Sequence, residues 1–212
     1  MGLLTTFEAI GAAMTKVDAG APRDGASPAG WLGRPLCRRY VLGIFDGAVV
    51  RSEGGQGGRD RTVHWATGWL ADGECEFLGA WIEPEGSQEG PRRMLADLKR
   101  RGVERIWHVA GTDAGGLRER VSAAFPGSTP GSSGDRLPPQ ALATAPEHVA
   151  AQVRQRLKQG IRRHGSFESG SAVLDFLARA LQRTERRMDR GGMTTTVRLL
   201  PDSGTQRASP GF

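Results

Sequence analysis

Apolar and polar residues alternate with a period of two in three consecutive segments near the middle of the chain. The segments are residues 38–46, 61–71 and 75–83, and each contains aromatic or β-branched side chains at alternate positions. Alternation of this kind is typical of half-buried strands, so the pattern predicts three strands in succession. An Asp72-Gly73 dipeptide separates the second and third segments and predicts a tight hairpin turn.

The same alternation predicts which side chains share a face of each strand. On the second strand one face carries Val63, Trp65, Thr67 and Trp69. On the third strand one face carries Cys75, Phe77, Gly79 and Trp81. The other face of that strand carries Glu76, Leu78, Ala80 and Ile82. We therefore expect the two third-strand sets to lie on opposite sides of a sheet.

The period changes to that of a helix after the third strand. Residues 87–102 predict an amphipathic helix, with Ser87 as its cap and Gly102 at its end. The apolar run at 105–111 is too short for a helix and predicts a buried strand. Residues 115–124 then predict a second helix.

Two longer helical patterns follow, over residues 146–163 and 169–189. The element order is therefore three strands, a helix, a strand and further helices. We expect an α/β fold whose mixed sheet has three antiparallel strands followed by strand and helix units, with helices flanking the sheet. This is the order of the ribonuclease-H-like fold, although other α/β folds share it.

The pattern divides the chain into three parts. Residues 1–37 combine a weak helical pattern over 3–18 with a linker rich in Gly, Ala and Pro. Residues 38–189 form the predicted domain. Residues 190–212 form a tail that we expect to be disordered.

The formal net charge of +6 favours a polyanionic partner such as nucleic acid. Cys37 and Cys75 are far apart and form no zinc or redox pattern, so we expect a reduced, cytoplasmic protein. No apolar run approaches the roughly 18 residues of a membrane helix, and we expect no membrane association. Basic runs on the predicted helices are expected to be solvated; they lie at 92–93, 99–101, 162–163 and 186–187.

Two acids follow apolar strands and are candidates for metal-dependent chemistry. Asp46 ends the first predicted strand, and Asp113 follows the fourth. Phosphodiester chemistry uses carboxylates that converge on divalent metal ions, and Mg²⁺ prefers such oxygen ligands. Each acid also has a structural interpretation, because Asp46-Gly47 can form a turn and Asp113 can cap a helix. His64 and His108 lie within strands, where we expect them to pack rather than bind metal.

Five segments between Tyr40 and Thr129 carry a family resemblance; in order they are YVLGIFDGAVVR, GWLADGECEFLGAWIEPEGS, MLADLKRRGVERI, TDAGGLRERV and AAFPGS. Together they resemble the catalytic core of mutator-type transposases, bacterial enzymes of the DDE class. The resemblance implies DNA transposition by metal-dependent phosphodiester cleavage and strand transfer. It also implies that Asp46 and Asp113 are the first two catalytic acids, with Mg²⁺ or Mn²⁺ as cofactor. Its implied partner is DNA at transposon ends. A homo-oligomer of the chain is a further expectation.

The third acid of that family is a glutamate within a helix, and the segment SAVLDFLARALQR (171–183) resembles the motif around it. The resemblance implies Asp175 at this position as a catalytic residue and metal ligand, with Glu168 and Glu185 as alternatives. The chain departs from the family at this glutamate, at a Cys-x-x-His segment, and at residues 1–37, where the family has a long DNA-binding region. We therefore expect impaired activity. The alternative is a non-catalytic relic, or a repurposed DNA- or protein-binding domain with the same fold.

Overall fold

The computed structural model of the protein describes most of the predicted domain. The described residues are 27–53, 58–70, 74–83, 89–112, 116–125, 127–130 and 145–190. Several predicted features lie outside these residues, among them the helix over 3–18, the Asp72-Gly73 turn, the Ser87 cap, Asp113 and the tail beyond residue 190.

Strands and helices alternate along this part of the chain much as the pattern predicts. The strands are β1 (Arg39–Ser52), β2 (Arg59–Trp69), β3 (Cys75–Ile82), β4 (Arg105–Gly111), β5 (Thr129–Pro130) and β6 (Ser166–Phe167). The helices are α1 (Pro28–Leu32), α2 (Gly90–Arg100), α3 (Leu117–Ala124), α4 (Ala145–His164) and α5 (Gly170–Arg190). Within the described ranges, no helix has both the length and the apolar character of a membrane span.

The strands form one mixed sheet with β1 at its centre. The order is β3-β2-β1-β4-β5, and β6 pairs with the far end of β1. β1, β2 and β3 are antiparallel neighbours, whereas β4 is parallel to β1 and β5 is parallel to β4. The predicted α/β class is therefore confirmed, with three antiparallel strands followed by strand and helix units.

β1 is longer than the sequence pattern indicates. The predicted end at residue 46 is wrong, because the strand continues to Ser52. β2 supplies antiparallel partners throughout this extension, and Asp46 and Gly47 pair with Trp65 and His64. The interpretation of Asp46-Gly47 as a turn is therefore also wrong. Asp46 lies within the central strand of the sheet.

β3 contains an irregularity that changes its predicted faces. Ala66 pairs with Gly79 and Thr67 with Phe77, which leaves Leu78 as an extra residue. An extra residue of this kind forms a β-bulge and shifts the alternation of all later side chains. Phe77 packs in one core and Trp81 against the other, so the predicted shared face from Cys75 to Trp81 is wrong beyond the bulge. The predicted face of β2 is confirmed as buried.

The sheet separates two apolar cores. Helices α4 and α5 cover one side with residues at helical spacing, and the buried members are Val149, Val153, Leu157, Ile161, Val173, Leu177 and Leu181. Helices α2 and α3 cover the other side with Met94, Leu98, Leu117 and Val121. Leu42 and Ile44 of β1 face α4 and α5, whereas Phe45 faces α2 and α3. Because side chains alternate along a strand, Asp46 belongs to the α4–α5 side.

Candidate active site

Asp46 lies at the point where β4 ends beside β1. The two strands pair in parallel from Arg39 and Arg105 up to Phe45 and Gly111, so Asp46 is the next residue of β1. A Cβ atom at Gly111 would lie 1.9 Å from the Phe45 carbonyl oxygen, and its φ is +124°. Only glycine tolerates both the contact and this φ. The glycine therefore allows the chain to leave β4 immediately next to Asp46.

The Asp46 carboxylate is buried and has three described contacts. Its relative exposure is 2%. The backbone N–H and the hydroxyl of Thr112 donate to Oδ1 at 3.2 and 2.7 Å. Nε of Arg154 in α4 lies 3.0 Å from the same oxygen. The Nε–H of Arg154 makes no hydrogen bond within the described part of the chain, so its contact with Asp46 is an ion pair.

The other predicted acids differ sharply in their surroundings. Asp113 lies outside the described residues, but Thr112 immediately precedes it and contacts Asp46. Asp175 is exposed in the first half of α5, and Glu168 is exposed just before that helix. The residue before Asp113 therefore lies in contact with the Asp46 carboxylate.

Glu185 is buried and has structural partners. Its two carboxylate oxygens accept hydrogen bonds from the Trp31 indole N–H at 2.9 Å and from Arg34 at 3.1 Å. Arg34 also donates to the Phe77 carbonyl at 2.7 Å and lies 3.7 Å from Glu76. These contacts join α1, β3 and α5. Glu185 thus acts as a buried counterion that holds α5 against α1 and Arg34.

Arg101 is a second buried cation that the sequence pattern misassigns. It was expected to be solvated with its neighbours at 99–101, but its exposure is only 4%. It donates to the carbonyls of Arg34 and Leu78 at 2.7 and 2.5 Å. Burial lowers its pKa, and Asp97 opposes that shift. Its immediate neighbour Arg100 is exposed, so the basic run marks the end of α2 rather than one uniform face.

Comparison with known proteins shows the family. The sequence model of the family described as Transposase, Mutator family matches residues 26–190. The chain belongs to the mutator family of transposases. The match confirms the resemblance inferred from the five motifs, and it includes Asp46, Asp113 and Asp175.

Two curated relatives match a shorter part of the chain. The transposase for insertion sequence element ISRM3 of Rhizobium meliloti (strain 1021) is 34% identical over 96 residues. A probable transposase for an ISRM3-like element of Sinorhizobium fredii is 33% identical over the same length. Each match covers 45% of this chain and 24% of the relative. The matched part of this mutator-family protein thus spans about a quarter of the length of those relatives.

One histidine of the sheet of this mutator-family protein is buried and the other is half-buried. His64 is buried, and its Nε2 lies 3.2 Å from a carboxylate oxygen of Glu83. His108 is half-buried in β4, and burial lowers its pKa. Within the described ranges, no three His, Cys, Asp or Glu side chains come together as a possible metal site. A site of three acids would therefore include at least one residue outside those ranges, and Asp113 is such a residue.

The donor chemistry at Asp46 fits a divalent metal ion. A carboxylate is a hard oxygen ligand of the kind that Mg²⁺ and Mn²⁺ bind. Thr112 fixes one oxygen of this carboxylate and hence its orientation. Among the described contacts of this carboxylate, only the positively charged Arg154 guanidinium disfavours binding of a metal ion.

Proposed function

We propose that this protein contains the catalytic core of a DNA transposase that cleaves phosphodiesters and transfers strands with the help of divalent metal ions. The observation that carries the proposal is the buried Asp46 carboxylate on the central strand, bonded to the residue that precedes Asp113. Family membership supports the same function. Shared metal ligation requires these two acids to be near each other, and the Asp46–Thr112 contact favours that arrangement.

A ribonuclease-H-like fold is part of the proposal. It is supported by three antiparallel strands at one side of the sheet, by parallel strands β4 and β5 at the other, and by helices on both faces. This topology puts the end of β4 beside the middle of β1. The predicted domain limits at residues 38 and 189 remain predictions.

In the proposed site, Asp46, Asp113 and Asp175 would hold Mg²⁺ or Mn²⁺. A bound divalent ion would polarise the scissile phosphate and activate water or a DNA 3′-hydroxyl. The chain itself orients Asp46 through Thr112 and keeps it buried on a rigid strand. Asp175 is exposed on α5 and is the proposed third ligand.

DNA is the proposed partner, and its phosphates would meet the basic outer surfaces of α4 and α5. Exposed arginines on these helices include Arg162, Arg183 and Arg187. Arginine side chains of this kind bind phosphates without reading sequence. Because the substrate is cellular DNA, we place the protein in the cytoplasm. Self-association remains a prediction.

A non-catalytic DNA- or protein-binding domain is the second candidate. One observation favours it, namely that the Asp46 carboxylate pairs with Arg154, a cation supplied by the chain itself. In that case the buried acid would serve stability alone. The two candidates predict different results when the charge of Asp46 is removed.

A nicking assay on supercoiled plasmid DNA tests the proposed function. Wild type and Asp46→Asn are compared in Mn²⁺ and in EDTA, because Asn keeps the shape of the side chain but removes its charge. Asp60→Asn is the matched control, since Asp60 is an exposed acid on β2 whose side chain is 68% accessible. We expect metal-dependent nicking by wild type and Asp60→Asn, and its loss in Asp46→Asn. Equal activity in all three proteins would refute the catalytic role.

A further inference from the structure

Arg154 is the residue through which the structure extends the proposed function. It lies on α4 between Val153 and Leu157, which are buried in the core beneath that helix. Its side chain is one-third exposed and reaches the buried carboxylate of Asp46 on β1. Arg154 therefore links the surface of the domain to the buried acid Asp46 of the proposed site.

A buried carboxylate needs a compensating charge or several hydrogen bonds. Thr112 supplies two hydrogen bonds, and Arg154 supplies the charge. A metal ion bound to the same carboxylate would come within about 5 Å of the guanidinium, where like charges repel strongly at low effective dielectric. The ion pair with Arg154 and a bound metal ion therefore weaken each other at this carboxylate.

We propose that Arg154 is an internal counterion that competes with the divalent metal ion for Asp46. The proposal rests on the proposed function, because it takes Asp46 as a metal ligand. In the metal-free protein Arg154 neutralises Asp46 and stabilises the strand. When a metal ion binds, the arginine side chain moves away toward solvent. Its partial exposure provides a route for that movement.

We therefore expect the metal affinity to be reduced by the free energy needed to break this ion pair. For a partly exposed pair, that cost is equivalent to a factor of about ten in a binding constant. Removing the charge should strengthen metal binding, while removing Asp46 should abolish it. If Arg154 served stability alone, removing its charge would leave the metal affinity unchanged.

The test is Mn²⁺ binding to purified full-length chains by isothermal titration calorimetry. Arg154→Gln is compared with wild type and with Arg156→Gln, an exposed arginine of the same helix that serves as the matched loss of charge. We expect the Kd for Mn²⁺ to fall about tenfold in Arg154→Gln and to remain unchanged in Arg156→Gln. An unchanged or weaker affinity in Arg154→Gln would overturn the competition.

The melting temperature gives a second test that does not depend on catalytic activity. In EDTA, Arg154→Gln should melt below wild type, because Asp46 then lacks its counterion. In Mn²⁺ the variant should gain more stability than wild type. Equal losses in both conditions would indicate a structural arginine only and would overturn the proposal.

One further protein, Asp46→Asn, separates the possible failures. If Asp46→Asn binds Mn²⁺ as tightly as wild type, the metal site at Asp46 fails, and both proposals fall together. If Asp46→Asn loses Mn²⁺ binding but Arg154→Gln binds Mn²⁺ as wild type does, the competition alone is refuted.

An NMR experiment replaces these measurements if Arg154→Gln does not fold. The Nε–H resonance of Arg154 in wild type is assigned by its loss in Arg154→Lys and is followed during titration with Mg²⁺. A shift is expected, and an unchanged resonance would overturn the proposal.

Discussion

Replacing Glu185 by Gln tests whether this acid is a structural counterion rather than a catalytic residue. The change keeps the size of the side chain and an oxygen that can accept from Trp31. It removes the charge that faces Arg34 at 3.1 Å, where both side chains are almost fully buried. Arg34 is then left with carbonyl contacts and with Glu76 at 3.7 Å.

The expected loss follows from these contacts. Breaking a buried ion pair by removing one partner costs about 3 to 5 kcal/mol. Because Glu76 and two carbonyl oxygens still compensate Arg34, we expect the lower end, about 3 kcal/mol. With a urea dependence of about 2 kcal/mol per molar, the midpoint of unfolding should fall by about 1.5 M.

Urea unfolding followed by tryptophan fluorescence measures this shift. Glu168→Gln is the matched control, because Glu168 is an exposed acid just before the same helix. Its midpoint should stay within about 0.3 M of wild type, as for other surface substitutions. A Glu185→Gln midpoint equally close to wild type would refute the structural role of Glu185. It would also return Glu185 to the candidates for the third catalytic acid.

Two further substitutions test the packing of β4. Gly111→Ala should leave little soluble protein, because its Cβ would overlap the Phe45 carbonyl at 1.9 Å and its φ is +124°; normal yield and melting temperature would contradict this. His108→Asn should remove a pH dependence. Burial lowers the pKa of His108, so the unfolded chain takes up a proton first as pH falls below about 6.5. The free energy of unfolding of wild type should fall by up to about 1.4 kcal/mol per pH unit relative to that of the variant below that pH. A difference in unfolding free energy that is constant from pH 7.5 to 5.5 would contradict the assignment.

The helices of this protein were predictable because their cores follow helical spacing. The positions of α4 and α5 match the predicted ranges closely, and their apolar residues at helical spacing are buried in the core. β4 matches at both ends, since a short apolar run between polar residues has few alternatives. The local pattern of apolar residues is sufficient to predict an element that packs against a single core.

The strand errors arose where tertiary pairing overrides local signals. Asp-Gly usually forms a turn, but β2 offers Asp46 and Gly47 partners that continue the strand. The bulge at Leu78 depends on how β3 meets β2, and alternation within β3 alone gives no sign of it. Both features are decided by the neighbouring strand.

The charged contacts were the least predictable part of the candidate site. Arg34 and Glu185 are 151 residues apart in sequence, and each is expected at the surface when read alone. The pairing of Asp46 with Arg154 likewise requires α4 to lie over β1. The sequence identified Asp46 as a candidate acid through its strand and its family resemblance, but it did not reveal the counterion.

The initial rate of Mn²⁺-dependent plasmid nicking, compared between wild type and Asp46→Asn, tests the central claim most directly. Loss of residues that merely support a metal ligand costs 10- to 100-fold, so loss of the ligand itself should cost at least about 100-fold. Asp60→Asn should nick at the wild-type rate. Equal rates for wild type and Asp46→Asn would contradict a catalytic metal site at this strand.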